Sequence, residues 1–284
     1  MSLVVTGATG QLGRLVIESL LGRGVAPEQI VAGGRDESRM GELAERGVRT
    51  ATIDYDRPET LDAAFAAGDT LLLISASVPG IRVPLHRNVI DAAVRAGVAR
   101  IVYTSAPHAD TSALVLAPEH KATEELIAAS GLPATILRNG WYTENYLQQV
   151  RDAAESGLIT ASVGAGRVAS ATRADYADAA AVALIGTGHD NVVYELTGDV
   201  AWSFDDLAAA ASKLLGRPVR YESLTPDEHR ARLIAGGVDA GTADFVVALD
   251  GNIRDGALGE TGGELARLIG RPTTPLLDGL RAAL

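Results

Sequence analysis

Leu3-Val4-Val5-Thr6-Gly7-Ala8-Thr9-Gly10-Gln11-Leu12-Gly13 opens the chain as an apolar strand running into a Gly-x-x-Gly-x-x-Gly turn. The helix-forming stretch Arg14-Leu15-Val16-Ile17-Glu18-Ser19-Leu20-Leu21 follows at once. That order suits a dinucleotide pyrophosphate. A turn without side chains lets the backbone approach the phosphates, and a helix N-terminus offers unpaired N–H groups and a partial positive charge. Gly7 would make the tight turn, Gly10 the close approach and Gly13 the helix–strand packing, with Thr6, Thr9, Gln11 and Leu12 in the same cofactor-binding turn. Three spaced glycines alone also describe an ordinary turn; strand, turn and helix in sequence supply the context that a nucleotide site requires.

The end of the second strand bears on which dinucleotide. It reads Val31-Ala32-Gly33-Gly34-Arg35-Asp36, with an arginine where a ribose-binding acid would be expected and the acid one place later. Two glycines leave room for a bulky substituent, and Arg35 can pair with a 2′-phosphate through a planar, charge-assisted fork. This favours NADPH. The alternative is a solvated Arg35, with Asp36 turning to an NAD ribose.

Composition narrows the class. The 284 residues carry a net charge of −11, 47% hydrophobic residues, 21% charged residues and no cysteine. The acidic balance disfavours nucleic acid and anionic membrane surfaces, and the lack of cysteine removes disulfides and thiolate chemistry. Apolar runs fall short of the ~18 residues of a membrane span, and a strand stands where a leader would be, so the chain reads as cytoplasmic. A homo-oligomer is compatible with this reading. The five histidines lack metal-ligand spacing, so no metal site is expected.

Strand and helix signals alternate through the first half. Further strands are expected at 50–53, 70–74, 100–105 and 134–138, and helices at 83–96 and 118–130, stopped by Gly97 and Gly131. This predicts an α/β fold: a doubly wound parallel sheet of Rossmann type spanning 1–150. A smaller α/β lobe over 151–284 would be partly interwoven with it. Ligands of such sheets lie beyond the carboxyl ends of the strands. There, Asp54 and Tyr55 would meet an adenine edge, unless they are a turn acid and a surface tyrosine. Ser75-Ala76-Ser77 is small enough to pass under a ribose and nicotinamide, and Val78-Pro79-Gly80 would make a covering turn. Ser105 and His108 fall on the acceptor side. Asn139-Gly140-Trp141-Tyr142 places an amide and two aromatics against a flat ligand, or else anchors a core.

Several stretches together resemble the NmrA-like atypical short-chain dehydrogenase/reductases, most closely their bacterial type 2 NADPH:quinone oxidoreductases. They are the glycine turn, Glu119-His120-Lys121-Ala122-Thr123-Glu124, Leu137-Arg138-Asn139-Gly140-Trp141-Tyr142-Thr143-Glu144-Asn145-Tyr146, Ala169-Ser170-Ala171-Thr172-Arg173-Ala174-Asp175-Tyr176-Ala177 and Val193-Tyr194-Glu195-Leu196-Thr197-Gly198. The segment Leu268-Ile269-Gly270-Arg271-Pro272-Thr273-Thr274 also matches. The resemblance implies NADPH across the strand ends and hydride transfer to quinones. A related branch reduces triarylmethane dyes, and a more distant one senses the redox state of the cofactor through a protein partner.

One departure from the wider short-chain pattern bears on mechanism. Those enzymes protonate a carbonyl through Tyr-x-x-x-Lys, but four residues before Lys121 stands Ala117. A simple ketone needs general-acid help worth ~100- to 10,000-fold. A quinone or cationic dye is electrophilic enough to accept hydride when merely held in place. His120 and Lys121 remain catalytic candidates, for cofactor binding or oxyanion stabilisation, or form a solvated helix face. Tyr142 would position the acceptor, and Arg173 would anchor it or close onto the main domain. Farther on, Ser203 and Thr225 should open helices, 219–221 a short strand, and the glycine-rich 236–263 a mobile connection.

Overall fold

The computed structural model describes residues 1–78 and 80–284. Its first elements are β1 (Leu3–Val5), α1 (Gln11–Gly22), β2 (Ile30–Gly34), α2 (Gly41–Glu45), β3 (Arg49–Thr52) and α3 (Pro58–Ala64). Next come β4 (Thr70–Leu73), α4 (Arg82–Ala96), β5 (Arg100–Ser105), α5 (Ala117–Ser130) and β6 (Ala134–Asn139). They are followed by α6 (Leu147–Ser156), β7 (Leu158–Ala161), β8 (Arg167–Val168), α7 (Arg173–Ile185), β9 (Val192–Leu196) and β10 (Trp202–Ser203). The chain closes with α8 (Phe204–Leu215), β11 (Arg220–Ser223), α9 (Pro226–Ala235), α10 (Ala240–Arg254), α11 (Glu264–Ile269) and α12 (Leu276–Ala283).

These elements group into two units. The first comprises residues 1–110, 116–139 and 173–196; the second comprises 111–115, 140–172 and 197–284. The first unit therefore takes back a segment of the second half, α7 and β9.

In the first unit seven strands pair in parallel in the order β3-β2-β1-β4-β5-β6-β9. Continuous apolar runs build its centre because helices cover both faces: Thr70–Leu73 is buried at every position, as is Leu3–Val5. α4 and α5 stop where expected, at Gly97 and Gly131, each left-handed with φ 72°. The third strand ends at Thr52, one residue early, and Ile53 turns into the core. Alanines at 177, 179, 180, 181 and 183 give α7 a small buried face. That face lets it pack on α1, where the Ser19 hydroxyl donates to Asp178 Oδ1 at 2.6 Å.

In the second unit β7 pairs in parallel with β11, and β8 antiparallel with β10. Ser203 and Thr225 open α8 and α9 with reciprocal capping boxes, through Asp206 and Glu228, as their spacing predicts. The expected mobile connection at 236–263 is corrected. Most of it is α10, a 15-residue helix capped by Asp239, which accepts from the Thr242 N–H at 3.0 Å. Its buried side includes Ala243, Asp250 and Ile253, and Asp250 accepts from the Ser162 N–H and hydroxyl. Glycine-rich composition concealed a helix whose buried side carries an acid among apolar residues.

Candidate functional site: a nucleotide crevice

The strand order reverses between β1 and β4, and such a switch point opens a crevice beyond the carboxyl ends of the two strands. The glycine turn fills one side. Gly7 has φ +61°, and its carbonyl accepts the Gly10 N–H at 2.9 Å. A Cβ on Gly13 would sit 2.3 Å from the Gly7 oxygen, so Gly13 lets α1 press against the turn. Gly10 differs: its φ of −86° suits any residue, and a Cβ there would meet only the Gly7 oxygen, at 3.1 Å. No side chain caps α1, and its first turn carries no acid. The uncompensated N–H groups and helix dipole fit a pyrophosphate.

Thr6, buried, ties the crevice floor together. Its hydroxyl donates to the Leu72 carbonyl at 2.9 Å and accepts from the Ile74 N–H at 3.0 Å. Tyr55 joins the same knot, since its hydroxyl donates to the Ile74 carbonyl at 2.8 Å and lies against Thr6 Oγ1. Desolvation holds the Tyr55 phenol protonated, its pKa well above the ordinary value. The hydroxyl of Tyr55 thus points into the fold, while Asp54 closes a local turn by accepting from the Asp56 N–H.

At the end of β2, Arg35 is exposed and has no hydrogen bond or ion pair among the described residues. Asp36 is engaged: it accepts from the Ser38 hydroxyl at 2.6 Å and the Ser38 N–H at 3.0 Å, which lower its pKa below the usual carboxylate range. The free cation and the occupied acid fit a 2′-phosphate better than a bare ribose. Gly33 and Gly34 do not leave the opening that two glycines suggested. Cβ atoms there would fall 2.3 Å from Ile53 Cδ1 and 2.9 Å from Thr9 Cγ2, so both glycines serve internal packing.

Beyond β4, residues 75–77 form the other side of the crevice. The Ser75 N–H donates to Thr104 Oγ1 at 2.9 Å, and the Ala76 N–H to His86 Nε2 at 2.9 Å. Arg82 Nε donates to the Ala76 carbonyl at 2.8 Å. The expected covering turn centres on Pro79, which lies outside the described residues.

The carboxyl ends of β5, β6 and β9 meet in an ion-pair network. Arg138, nearly buried, donates to both oxygens of Glu124 at 3.0 and 2.7 Å, to Asp110 at 2.9 Å and to Glu195 at 2.8 Å. These bonds, with Glu124 first, raise the Arg138 pKa further and keep it charged. Ser105 donates its hydroxyl to Glu124, so it belongs to this network. His108, left-handed at φ 46°, donates its N–H to Glu195 at 3.1 Å. Asn139 ends β6, buried.

On α5, Ala117 is buried where the short-chain tyrosine would stand. His120 lies inside the unit, not on a solvated face. Its Nδ1 shares a 2.8 Å hydrogen bond with the Tyr103 hydroxyl, and burial together with the charge of Arg82 pushes its pKa down to about 3. It is neutral near pH 7 and presents no acid. Lys121 is exposed and donates to the Asp110 carbonyl at 3.3 Å.

Gly140, Trp141 and Tyr142 fall in the second unit, half-buried. There the Trp141 carbonyl accepts from Ala171 at 3.1 Å, and the Thr143 N–H donates to the Ala171 carbonyl at 2.9 Å. Arg173 opens α7 of the first unit. Sequence reading missed Arg82 and His86. Their signal was their position on the buried stripe of α4 with Val89, Ile90 and Ala93, where polar residues seldom sit without partners.

Residues 7–186 match the family described as NAD(P)H-binding. Quinone oxidoreductase 2 of Escherichia coli is 46% identical over 276 residues, which cover 97% of this chain and 96% of that protein. The NADPH-dependent quinone oxidoreductase of E. coli, solved in complex with NADPH, superposes with a TM-score of 0.94 at 45% identity over 99% of both chains. The triphenylmethane reductase of Citrobacter sp., solved with NADP(H), gives a TM-score of 0.94 at 38% identity over 100% of both chains. The chain therefore belongs to the NAD(P)H-binding oxidoreductase family that contains these quinone and dye reductases.

Proposed function

We propose that this chain is a cytoplasmic NADPH:quinone oxidoreductase. The observation that carries the acceptor class is Ala117, buried at the place of the missing tyrosine acid, beside a neutral His120 and a Lys121 turned to a carbonyl. Without a positioned acid, only an acceptor that is electrophilic on its own reacts well. Bound NADPH supplies the hydride. The chain's own residues bind and orient: the start of α1 takes the pyrophosphate, Arg35 the 2′-phosphate, and residues 75–77 the nicotinamide half. Trp141 and Tyr142 supply ring faces for a flat acceptor. The quinone gains two electrons and one proton as hydride and its second proton from water, which gives a hydroquinone.

Similarity to the Citrobacter dye reductase supports a second acceptor class, cationic triarylmethane dyes. One assay separates the readings: NADPH oxidation, followed at about 340 nm, against benzoquinones, a triarylmethane dye and unactivated ketones. Quinone turnover with silent ketones is the expected result. Tight NADPH binding with no turnover on any acceptor would replace the reductase by a redox sensor acting through a protein partner.

Cofactor choice is tested separately. NADPH should bind roughly ten- to a hundredfold more tightly than NADH, the worth of a charge-assisted pair of about 1.5–3 kcal/mol. Arg35→Ala should erase most of that margin and leave NADH binding nearly unchanged, as read by calorimetric titration. Equal affinities in the wild type would overturn the assignment.

A further inference from the structure

Ala76 sits in the segment that follows β4, on the side of the crevice opposite the glycine turn, and side chains of the protein engage both of its backbone polar groups. Its N–H is taken by His86 Nε2 at 2.9 Å and its carbonyl by Arg82 Nε at 2.8 Å. Both side chains come from α4 and both are buried. Arg82 is held in turn by Glu119 of α5 at 3.2 Å, and Glu119 also accepts the Gly80 N–H at 2.9 Å. The orientation of the Ala76 peptide groups is thus set by side chains behind the crevice, before any cofactor arrives.

The bonding pattern specifies the tautomer of His86. Nε2 accepts from the Ala76 N–H, so it carries no proton. Nδ1 lies 2.9 Å from Thr123 Oγ1, whose own hydrogen goes to the Glu119 carbonyl at 2.9 Å, so Nδ1 must be the donor. Burial, reinforced by the Arg82 charge, lowers the His86 pKa to about 3, and the ring stays neutral at physiological pH. A ring protonated at Nε2 would set a second N–H against the Ala76 N–H, and a flipped ring would set a C–H there. The partners leave one arrangement.

We infer that His86, fixed as its Nδ1–H tautomer by Thr123, is a positioning residue for hydride transfer: together with Arg82 it sets residues 75–77 so that the nicotinamide half of NADPH is held in reactive orientation. The inference rests on the cofactor reading above. The dinucleotide spans the switch point, with its adenosine half toward β2, where Arg35 waits, and its other half toward β4. A loosened segment after β4 therefore affects one half and spares the other.

That asymmetry is the test. His86→Phe removes the acceptor for Ala76, whereas His86→Gln can bring an amide oxygen to the same place. NADPH and its fragment 2′-phospho-ADP-ribose, which lacks nicotinamide, are titrated into wild type and both variants, and kcat is measured with one benzoquinone. The Phe variant should bind NADPH about tenfold more weakly and lose about tenfold or more in kcat, with fragment affinity held within about twofold. The Gln variant should recover most of both losses. Should the Phe variant not fold, Thr123→Val, which frees the ring to change tautomer, is expected to show the same split. Equal weakening of NADPH and fragment would reduce His86 to a structural role and overturn the inference, as would an unchanged NADPH affinity and kcat. A wild type that binds neither ligand would instead overturn the cofactor reading, a distinct outcome that needs no acceptor to detect.

Discussion

Gly10→Val is expected to abolish NADPH binding while the protein keeps its fold. The backbone at Gly10 has φ −86° and ψ 169°, an extended conformation that β-branched residues adopt readily. A Cβ there meets only the Gly7 oxygen, at 3.1 Å, a contact that asks for a shift of a few tenths of an ångström. Among the described residues, chain neighbours aside, no other atom comes within 4 Å of that Cβ. The pyrophosphate needs that space, because the N–H groups at the start of α1 are reached across Gly10, and two methyl groups would stand in the way. Gly13 would be the wrong choice for this test, since its Cβ would fall 2.3 Å from the Gly7 backbone oxygen and the turn itself would have to move. Circular dichroism should show native secondary structure, and calorimetric titration should detect no binding. Affinity retained within a few-fold would mean that the phosphates lie elsewhere.

The second large effect is on stability. Arg138→Leu should destabilise the protein by about 3–5 kcal/mol, the usual consequence of removing one partner from a buried ion pair. Arg138 binds both oxygens of Glu124 and also reaches Asp110 and Glu195. Without it Glu124, only 14% exposed at its side chain, and Glu195 lose the cation that both bind. Thermal unfolding should therefore fall by roughly 10 °C, given about 2–4 °C per kcal/mol for chains of this size. The double variant Arg138→Leu/Glu124→Leu should regain part of the loss, because an apolar pair avoids the stranded charge. A drop below about 1 kcal/mol in the single variant would show that the network is effectively solvated and contributes little.

Much of this molecule is local in origin and was therefore legible. A strand of apolar residues, a glycine turn and the start of a helix fall within thirteen residues and were readable as such, because each requirement is met by neighbours in sequence. The capping boxes at Ser203 and Thr225 and the stops at Gly97 and Gly131 are legible for the same reason.

Other features misled. Gly33 and Gly34 suggested room for a phosphate, yet the side chain of Ile53, twenty residues on, occupies the space beside Gly33. The alternative of a solvated helix face for His120 fell once Tyr103 and burial were seen around it. His86 drew no notice, because its partners Ala76 and Thr123 are ten and thirty-seven residues away. Arg138 stood out only within a motif; its role depends on Glu124, Asp110 and Glu195 arriving from three other places in the chain.

The sequence by itself determined the alternation of strands and helices and the position of the glycine turn, since periodicity and turn chemistry act over a few residues. Tertiary structure alone decided that α7 and β9 rejoin the first unit, that 240–254 is a helix, and which buried polar groups hold the segment after β4. The reason is physical: a buried polar side chain must find a partner, and the chain brings that partner from any distance, so a local pattern cannot name it.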